Sequence, residues 1–228
     1  MTTLKKSIIK FHNLEFRYGN SPLILSNVSL DIQKGGFYFL TGKSGAGKTS
    51  LLKLMYLGAF PSHGEAHVFG RSVHSYSRDE IALIRQNISV VFQDYKLLPH
   101  LTVYDNVALP LRIKGEDEDV IEKKVHQMVK WVGMIDFINT YPDTLSGGQQ
   151  QRISIARSVI TNPKIILADE PTGSVDDLAA KRIISLFEQL HHSGTTVIMA
   201  THNQELVNSK KYPELHLSNG SVILKGNE

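Results

Sequence analysis

The sequence predicts an α/β fold: a parallel sheet covered by helices, joined by a smaller β layer and by an inserted helical segment. Three observations predict it. Short apolar runs at residues 37–40, 88–92, 165–168 and 196–199 alternate with segments of helical period, the pattern of parallel strands linked by crossover helices. Both ends of the chain carry antiparallel signals instead. Across residues 94–160 the strand signal gives way to helical spacing.

Each element follows from its own residues. Ile9, Phe11, Leu14 and Phe16, then Val28, Leu30 and Ile32, recur near period two, which gives two strands around a loop. Gly35-Gly36 turns into the first buried strand, Phe37-Tyr38-Phe39-Leu40. Leu51, Leu52, Leu54 and Met55 then follow at helical spacing, and residues 88–92 form the next strand. In the helical middle, Ile121, Val125, Met128 and Val132 make a core-facing stripe, and Gly133 is placed to cap its C-terminus. Ile165-Ile166-Leu167-Ala168 has no polar face, so it reads as a strand buried on both sides. A helix through Ile183, Ile184 and Leu186 and a strand at residues 196–199 come next. Asn219-Gly220 between Leu215-His216-Leu217 and Val222-Ile223-Leu224 specifies a hairpin.

At 228 residues the chain suits one large domain with an insertion and a core that needs no covalent staples. Hydrophobic residues at 41% and charged residues at 21% exclude a disordered or collagen-like chain. There is no cysteine, which excludes disulfides, thiolate zinc sites and thiol catalysis. A net charge of +3 is too mild for nucleic acid, whose binding calls for a clustered basic face, and no such partner is expected. No apolar run approaches the ~18 residues of a membrane span. Lys10, His12 and Glu15 interrupt the apolar stretch that a signal peptide would need after Lys5 and Lys6. The expectation is a cytosolic chain that meets a membrane only through a partner.

The strand at residues 37–40 runs into Thr41-Gly42-Lys43-Ser44-Gly45-Ala46-Gly47-Lys48-Thr49-Ser50 and then a helix. Residues 42–49 satisfy G-x-x-x-x-G-K-[ST], and the strand-loop-helix setting is the one in which that pattern cradles phosphates. Gly42, Gly45 and Gly47 let backbone N–H groups turn inward without a Cβ in the way. The helix N-terminus adds a positive dipole end. Lys48 brings a charge to the β- and γ-phosphates, and the Thr49 hydroxyl is a magnesium ligand.

Residues 165–168 end in Asp169-Glu170. A buried strand delivers its C-terminal acids to the sheet edge where ligands bind in such folds. Asp169 is placed to hold magnesium and Glu170 to orient and deprotonate a water. On their own, two acids there are equally a helix N-cap. The phosphate cradle tips the reading toward chemistry.

Between these halves lies Leu145-Ser146-Gly147-Gly148-Gln149-Gln150-Gln151-Arg152. With the cradle upstream and Asp169-Glu170 downstream, it resembles the signature of ATP-binding-cassette (ABC) ATPases. The resemblance spans essentially the whole chain. It implies a P-loop NTPase fold with a RecA-like core, an antiparallel β subdomain and a helical subdomain at about residues 94–160. It also implies that Gln93 touches magnesium and the attacking water, that His202 meets the γ-phosphate, and that Tyr18 stacks on adenine. Ser146, Gly147, Gly148, Gln149 and Asp176 would complete an ATP site in trans, in a head-to-tail homodimer. The Gly173-Ser174-Val175-Asp176 run resembles the family's D-loop. Judged without the family, Ser146 is a loop and helix cap, Gln93 is polar surface, His202 is a structural histidine, and Tyr18 is a packed edge aromatic.

Phe92-Gln93-Asp94 followed by Thr102-Val103-Tyr104-Asp105-Asn106-Val107 is similar to the cell-division ATP-binding subfamily, FtsE. Ser174-Val175 departs from the Asn-Leu common there. This resemblance implies an FtsX-like integral membrane partner, a place on the cytoplasmic face of the bacterial inner membrane at the division site, and control of peptidoglycan hydrolysis. Tyr95, Leu97, Leu98 and Leu101 are candidates for coupling Gln93 to that partner, with internal packing as the alternative. The lipoprotein-release and macrolide-efflux ATPases share every catalytic motif. Soluble cassettes that act on DNA or ribosomes usually carry two cassettes or a long coiled coil, and neither is present.

Overall fold

In a computed structural model, which describes residues 6–173 and 175–226, the period-two segments at the N-terminus form β1 (Ser7–Phe16) and β2 (Leu25–Gln33), paired antiparallel. Lys5 and Ser174 lie outside the described residues. Next come β3 (Phe37–Thr41), α1 (Lys48–Met55), β4 (His63–Val68), β5 (Arg71–Ser72), α2 (Arg78–Arg85) and β6 (Ile88–Val91). The middle of the chain supplies α3 (Val103–Ile113), α4 (Glu118–Trp131) and α5 (Gly147–Val159). The chain closes with β7 (Ile165–Asp169), α6 (Asp177–His192), β8 (Thr196–Ala200), α7 (Gln204–Ser209), β9 (Glu214–Ser218) and β10 (Ser221–Lys225).

Among the described residues the strands form two sheets. One is antiparallel, ordered β2-β1-β4-β5; the other has six strands, ordered β10-β9-β3-β8-β7-β6. The large sheet is parallel except for its β9–β10 edge. The C-terminal hairpin, turned by Asn219 and Gly220 at φ 50° and 77°, therefore extends the large sheet and not the smaller layer that its antiparallel signal suggested. Two successive positive-φ residues match the twist of the flanking strands.

β3 and β7 sit inside this sheet and are apolar on both faces. Tyr38, Leu40, Ile165 and Leu167 pack toward α1 and the antiparallel sheet, while Phe37, Phe39, Ile166 and Ala168 pack toward Ile183 and Phe187 of α6. Truncating a fully buried phenylalanine such as Phe39 costs about 3–5 kcal/mol. The two strands that lead into the site are therefore among the least movable parts of the chain.

The helical region has a core of its own, in which Val107 and Leu111 of α3 meet Val125 and Val129 of α4 and Ile153 of α5. Gly133, at φ 70°, follows the last turn of α4 and donates to the Lys130 carbonyl, as its sequence position suggested. Helix does not begin at Asp94: residues 94–102 carry no regular element, and α3 starts only after Thr102 caps it by accepting from the Asp105 N–H (3.1 Å). β4, β5, α2 and α7 have no counterpart in the sequence reading. α2 has no fully buried residue; Ile81 and Ile84 pack half-buried on the core, and a capping box of Ser77 and Glu80 fixes its start.

Candidate functional site

β3 delivers the chain to Gly42, and the conformation there admits only glycine. Its φ is 145°, and a Cβ would lie 2.4 Å from the Leu217 carbonyl oxygen. At Gly47, φ is 105° and a Cβ would meet Ile24 Cγ2 at 2.9 Å. Gly47 is also the N-cap of α1 and offers no side chain to the helix, so the first N–H groups of α1 remain directed at the loop. Lys48 Nζ donates to the carbonyls of Gly42 (2.8 Å) and Lys43 (3.3 Å), which arches the side chain over the loop. The Ala46 N–H closes the arch on the Lys43 carbonyl at 3.1 Å.

β7 brings the acids to the same place. Thr49 Oγ1 donates to Asp169 Oδ2 at 2.8 Å, joining the first turn of α1 to the end of β7. Burial pushes the Asp169 carboxyl above the ordinary aspartate range; Thr49 and Lys48 pull it back, and the neighbouring Glu170 charge adds to the rise. Glu170 has φ 51°, uncommon for a residue with a Cβ, and is held there by its N–H to the Ala200 carbonyl (3.0 Å). Such conformations concentrate at functional sites. The turn aims the carboxylate at His202, whose Nδ1 lies 2.9 Å from Glu170 Oε1. The Glu170 side chain is only 14% exposed, whereas that of His202 is 77% exposed.

These groups line one open cleft of about 690 Å³. Its walls include Ser44, Gly45, Gly47, Lys48, Thr49, Ser50, Gln93, Asp169, Glu170 and His202. Ten residues singled out in the sequence thus converge, from four separate segments of chain. Gly42, Lys43 and Ala46 shape the loop without lining the cleft. Ile24 and Gly173 also line it and were not anticipated as site residues. Ile24 carries no polar signal, and only its packing under Gly47 reveals it.

Tyr18 stands beside the cleft and is 45% exposed. Lys53 Nζ donates to its hydroxyl (3.2 Å), Ser50 Oγ lies 3.4 Å away, and its ring meets Phe16 edge-on. Partial burial alone would raise its phenol pKa, but the contacts with Ser50 and Lys53 bring it below the usual value.

The signature lies apart from the cleft. Ser146 is the N-cap of α5, accepting from the Gln149 N–H at 3.4 Å while Gln149 Oε1 accepts the Ser146 N–H at 2.8 Å. Ser146 and Gly147 are exposed. Asp176 is also exposed and caps α6 through the Ala179 N–H (2.9 Å), which holds its carboxyl below the usual range. Tyr95, Leu97, Leu98 and Leu101 are half-buried, and Leu97 packs on the helical core.

A β-strand, a glycine loop closed by Lys48, and an Asp-Glu pair at the end of a neighbouring strand leave the family to be decided by comparison. The ABC transporter family pattern matches residues 25–173. The chain belongs to the ABC transporter ATPases. Its sequence is similar to the cell division ATP-binding protein FtsE of Escherichia coli K12, 41% identical over 94% of this chain and 97% of that one. FtsE of Bacillus subtilis 168 is 40% identical over 90% of each chain, and FtsE of Streptococcus pneumoniae D39 is 38% identical over 95% of this chain and 94% of that one. The fold is similar to that of the ATP-binding cassette MJ0796 in a dimeric post-hydrolysis state bound to ADP and Pi. That match has a TM-score of 0.88 and 32% identity, and it covers 96% of this chain and 98% of the other. As an ABC ATPase the protein binds and hydrolyses ATP, and its fold is that of an ABC nucleotide-binding cassette. No helix among the described residues is long and apolar enough to cross a membrane.

Proposed function

We propose that this cassette is the ATPase of a cell-division complex, in which two copies close head to tail on ATP and drive an FtsX-like membrane protein that regulates peptidoglycan hydrolysis. It would then sit on the cytoplasmic face of the bacterial inner membrane at the division site. The similarity to FtsE proteins along nearly the whole chain supports the division role. One observation carries the rest: the cleft gathers the glycine loop with Lys48, Thr49, Asp169 and Glu170, while Ser146, Gly147 and Asp176 are exposed and do not line it. The helical segment at about residues 94–160 acts as an inserted subdomain that presents the signature to the other copy.

The residue roles follow from chemistry. The backbone of residues 42–50 and Lys48 hold the triphosphate, and Tyr18 offers its ring to adenine. Thr49, Asp169 and Gln93 would hold Mg²⁺. All three offer the hard oxygen donors that this ion prefers, and two of those oxygens already converge within 2.8 Å. Asp169, desolvated beside a second carboxylate, gains by meeting a divalent cation. The ion supplies charge neutralisation on the phosphates. Glu170 accepts the proton of the attacking water, and His202 orients the carboxylate from one side while its exposed ring remains free to reach the γ-phosphate. Ser146, Gly147, Gly148, Gln149 and Asp176 of one copy then complete the site of the other. Mass spectrometry of membrane proteins co-purified with the tagged chain tests the division role. An FtsX-type protein is expected; recovery of a lipoprotein-release or efflux permease in its place would overturn it.

A further inference from the structure

The loop that follows Gln93 belongs to no helix or strand, yet its backbone is tightly held. Tyr95 and Lys96 are consecutive left-handed residues, at φ 58° and 50°, a region that side chains with a Cβ seldom occupy. The hold comes from α5. Ser154 Oγ and one Arg157 nitrogen donate to the Tyr95 carbonyl, each at 2.9 Å, and the other terminal Arg157 nitrogen donates to the Lys96 carbonyl at 2.7 Å. Fully buried Asn106 fixes the next turn by bonding Leu98 through both its N–H and its carbonyl. At the other end of α5 the Tyr95 hydroxyl packs over Gly147, only 3.1 Å from where a Cβ would stand.

Arg157 is unusual in this setting. Its guanidinium is largely buried, no carboxylate pairs with it among the described residues, and its charge is met by loop carbonyls. A planar fork meets the two carbonyls from two separate nitrogens at fixed spacing, whereas a lysine ammonium would have to serve both from one atom on a shorter, more flexible stem. Burying a cation without a counter-ion is expensive, so the arrangement persists only while those carbonyls stay in place.

We propose that Arg157 is a positioning residue for ATP hydrolysis, tying the Gln93 loop to the helix whose first turn is the signature, so that Gln93 and Ser146-Gly147 move as one body. This rests on the role proposed for Gln93 above.

A double-mutant cycle on the full-length chain, read by steady-state ATPase kinetics, tests it. Arg157→Lys lowers kcat about five- to tenfold while KM for ATP stays within about twofold, because the cradle is untouched. In a Gln93→Ala background the same change costs less than about twofold, because the group being positioned is already gone. Multiplicative losses in the double variant, or a KM effect without a kcat effect, overturn the proposal. Gln93→Ala with unchanged kcat removes the role proposed for Gln93 and this inference with it, and is read from the single variant alone. If Arg157→Lys does not fold, Ser154→Ala removes one donor and shows the same pattern at about two- to threefold.

Discussion

The cleft and the signature use similar local chemistry to opposite ends. Both place a glycine-rich stretch at the start of a helix. In the cleft, the Gly47 cap leaves the α1 N-terminus without a side-chain acceptor, and Lys48, Thr49, Asp169 and Glu170 crowd around it. At the signature, Ser146 and Gln149 satisfy the α5 N-terminus in a capping box, and the surrounding surface is open. On the reading proposed above, one end is an anion site assembled within the chain, and the other is a capped helix end whose ligand a second copy brings. The chain would then hold half of each of two sites.

The comparison breaks most visibly at Glu170. Glu170→Gln keeps the carboxylate's shape and loses its basicity, so hydrolysis slows by ~10²–10⁴ while ATP still binds. Single-turnover phosphate release checks this, and unchanged turnover removes Glu170 from its role. Lys48→Ala acts on binding instead: deleting a charged contact to phosphate weakens ATP affinity about 10–100-fold, measurable by titration calorimetry. The contrast sharpens at Ser146→Arg. This places a bulky cation at a helix end that does not line the cleft of its own chain, so ATP affinity of the single chain stays within about twofold while association is lost.

The smallest effect lies behind the cradle. Buried Glu214 on β9 accepts from Thr41 Oγ1 at 2.5 Å, with Lys225 Nζ 3.4 Å away, which pins the residue just before Gly42. Burial raises its carboxyl pKa, but Thr41, Lys225 and His216 outweigh this and leave it below the ordinary 4.5. A depressed acid contributes stability in full above the unfolded value and loses it as the pH falls through the folded one. Glu214→Gln therefore costs about 1–3 kcal/mol at pH 7 in denaturant titrations, and the deficit narrows below pH 4.5. A deficit independent of pH would show that packing, and not charge, holds Thr41.

The same contrast explains what the sequence disclosed. The strands that carry the cleft are apolar on both faces and end in charged or glycine-rich motifs, so β3, β7 and the residues of the cradle were readable in order. Tyr18 and His202 were readable only through the family resemblance, because an isolated aromatic or histidine carries no local pattern. α2 and β4 escaped notice because they bury little. The helical stripe of the middle segment starts at Ile121 and does not reach the loop at residues 94–102; Asn106 nearby and Arg157 far along the chain fix the course of that loop, and no periodicity announces it. The Asn219-Gly220 turn specifies the C-terminal hairpin but not its place at the edge of the large sheet, since turn chemistry specifies a pair of strands and not the edge they join.

Sedimentation equilibrium of Glu170→Gln with ATP and Mg²⁺ tests the central claim most directly. The account predicts twice the 25.5 kDa chain mass with nucleotide, the single-chain mass without it, and the single-chain mass throughout when Ser146→Arg is added. A single-chain mass at saturating ATP, persisting when the membrane partner is present, would contradict it.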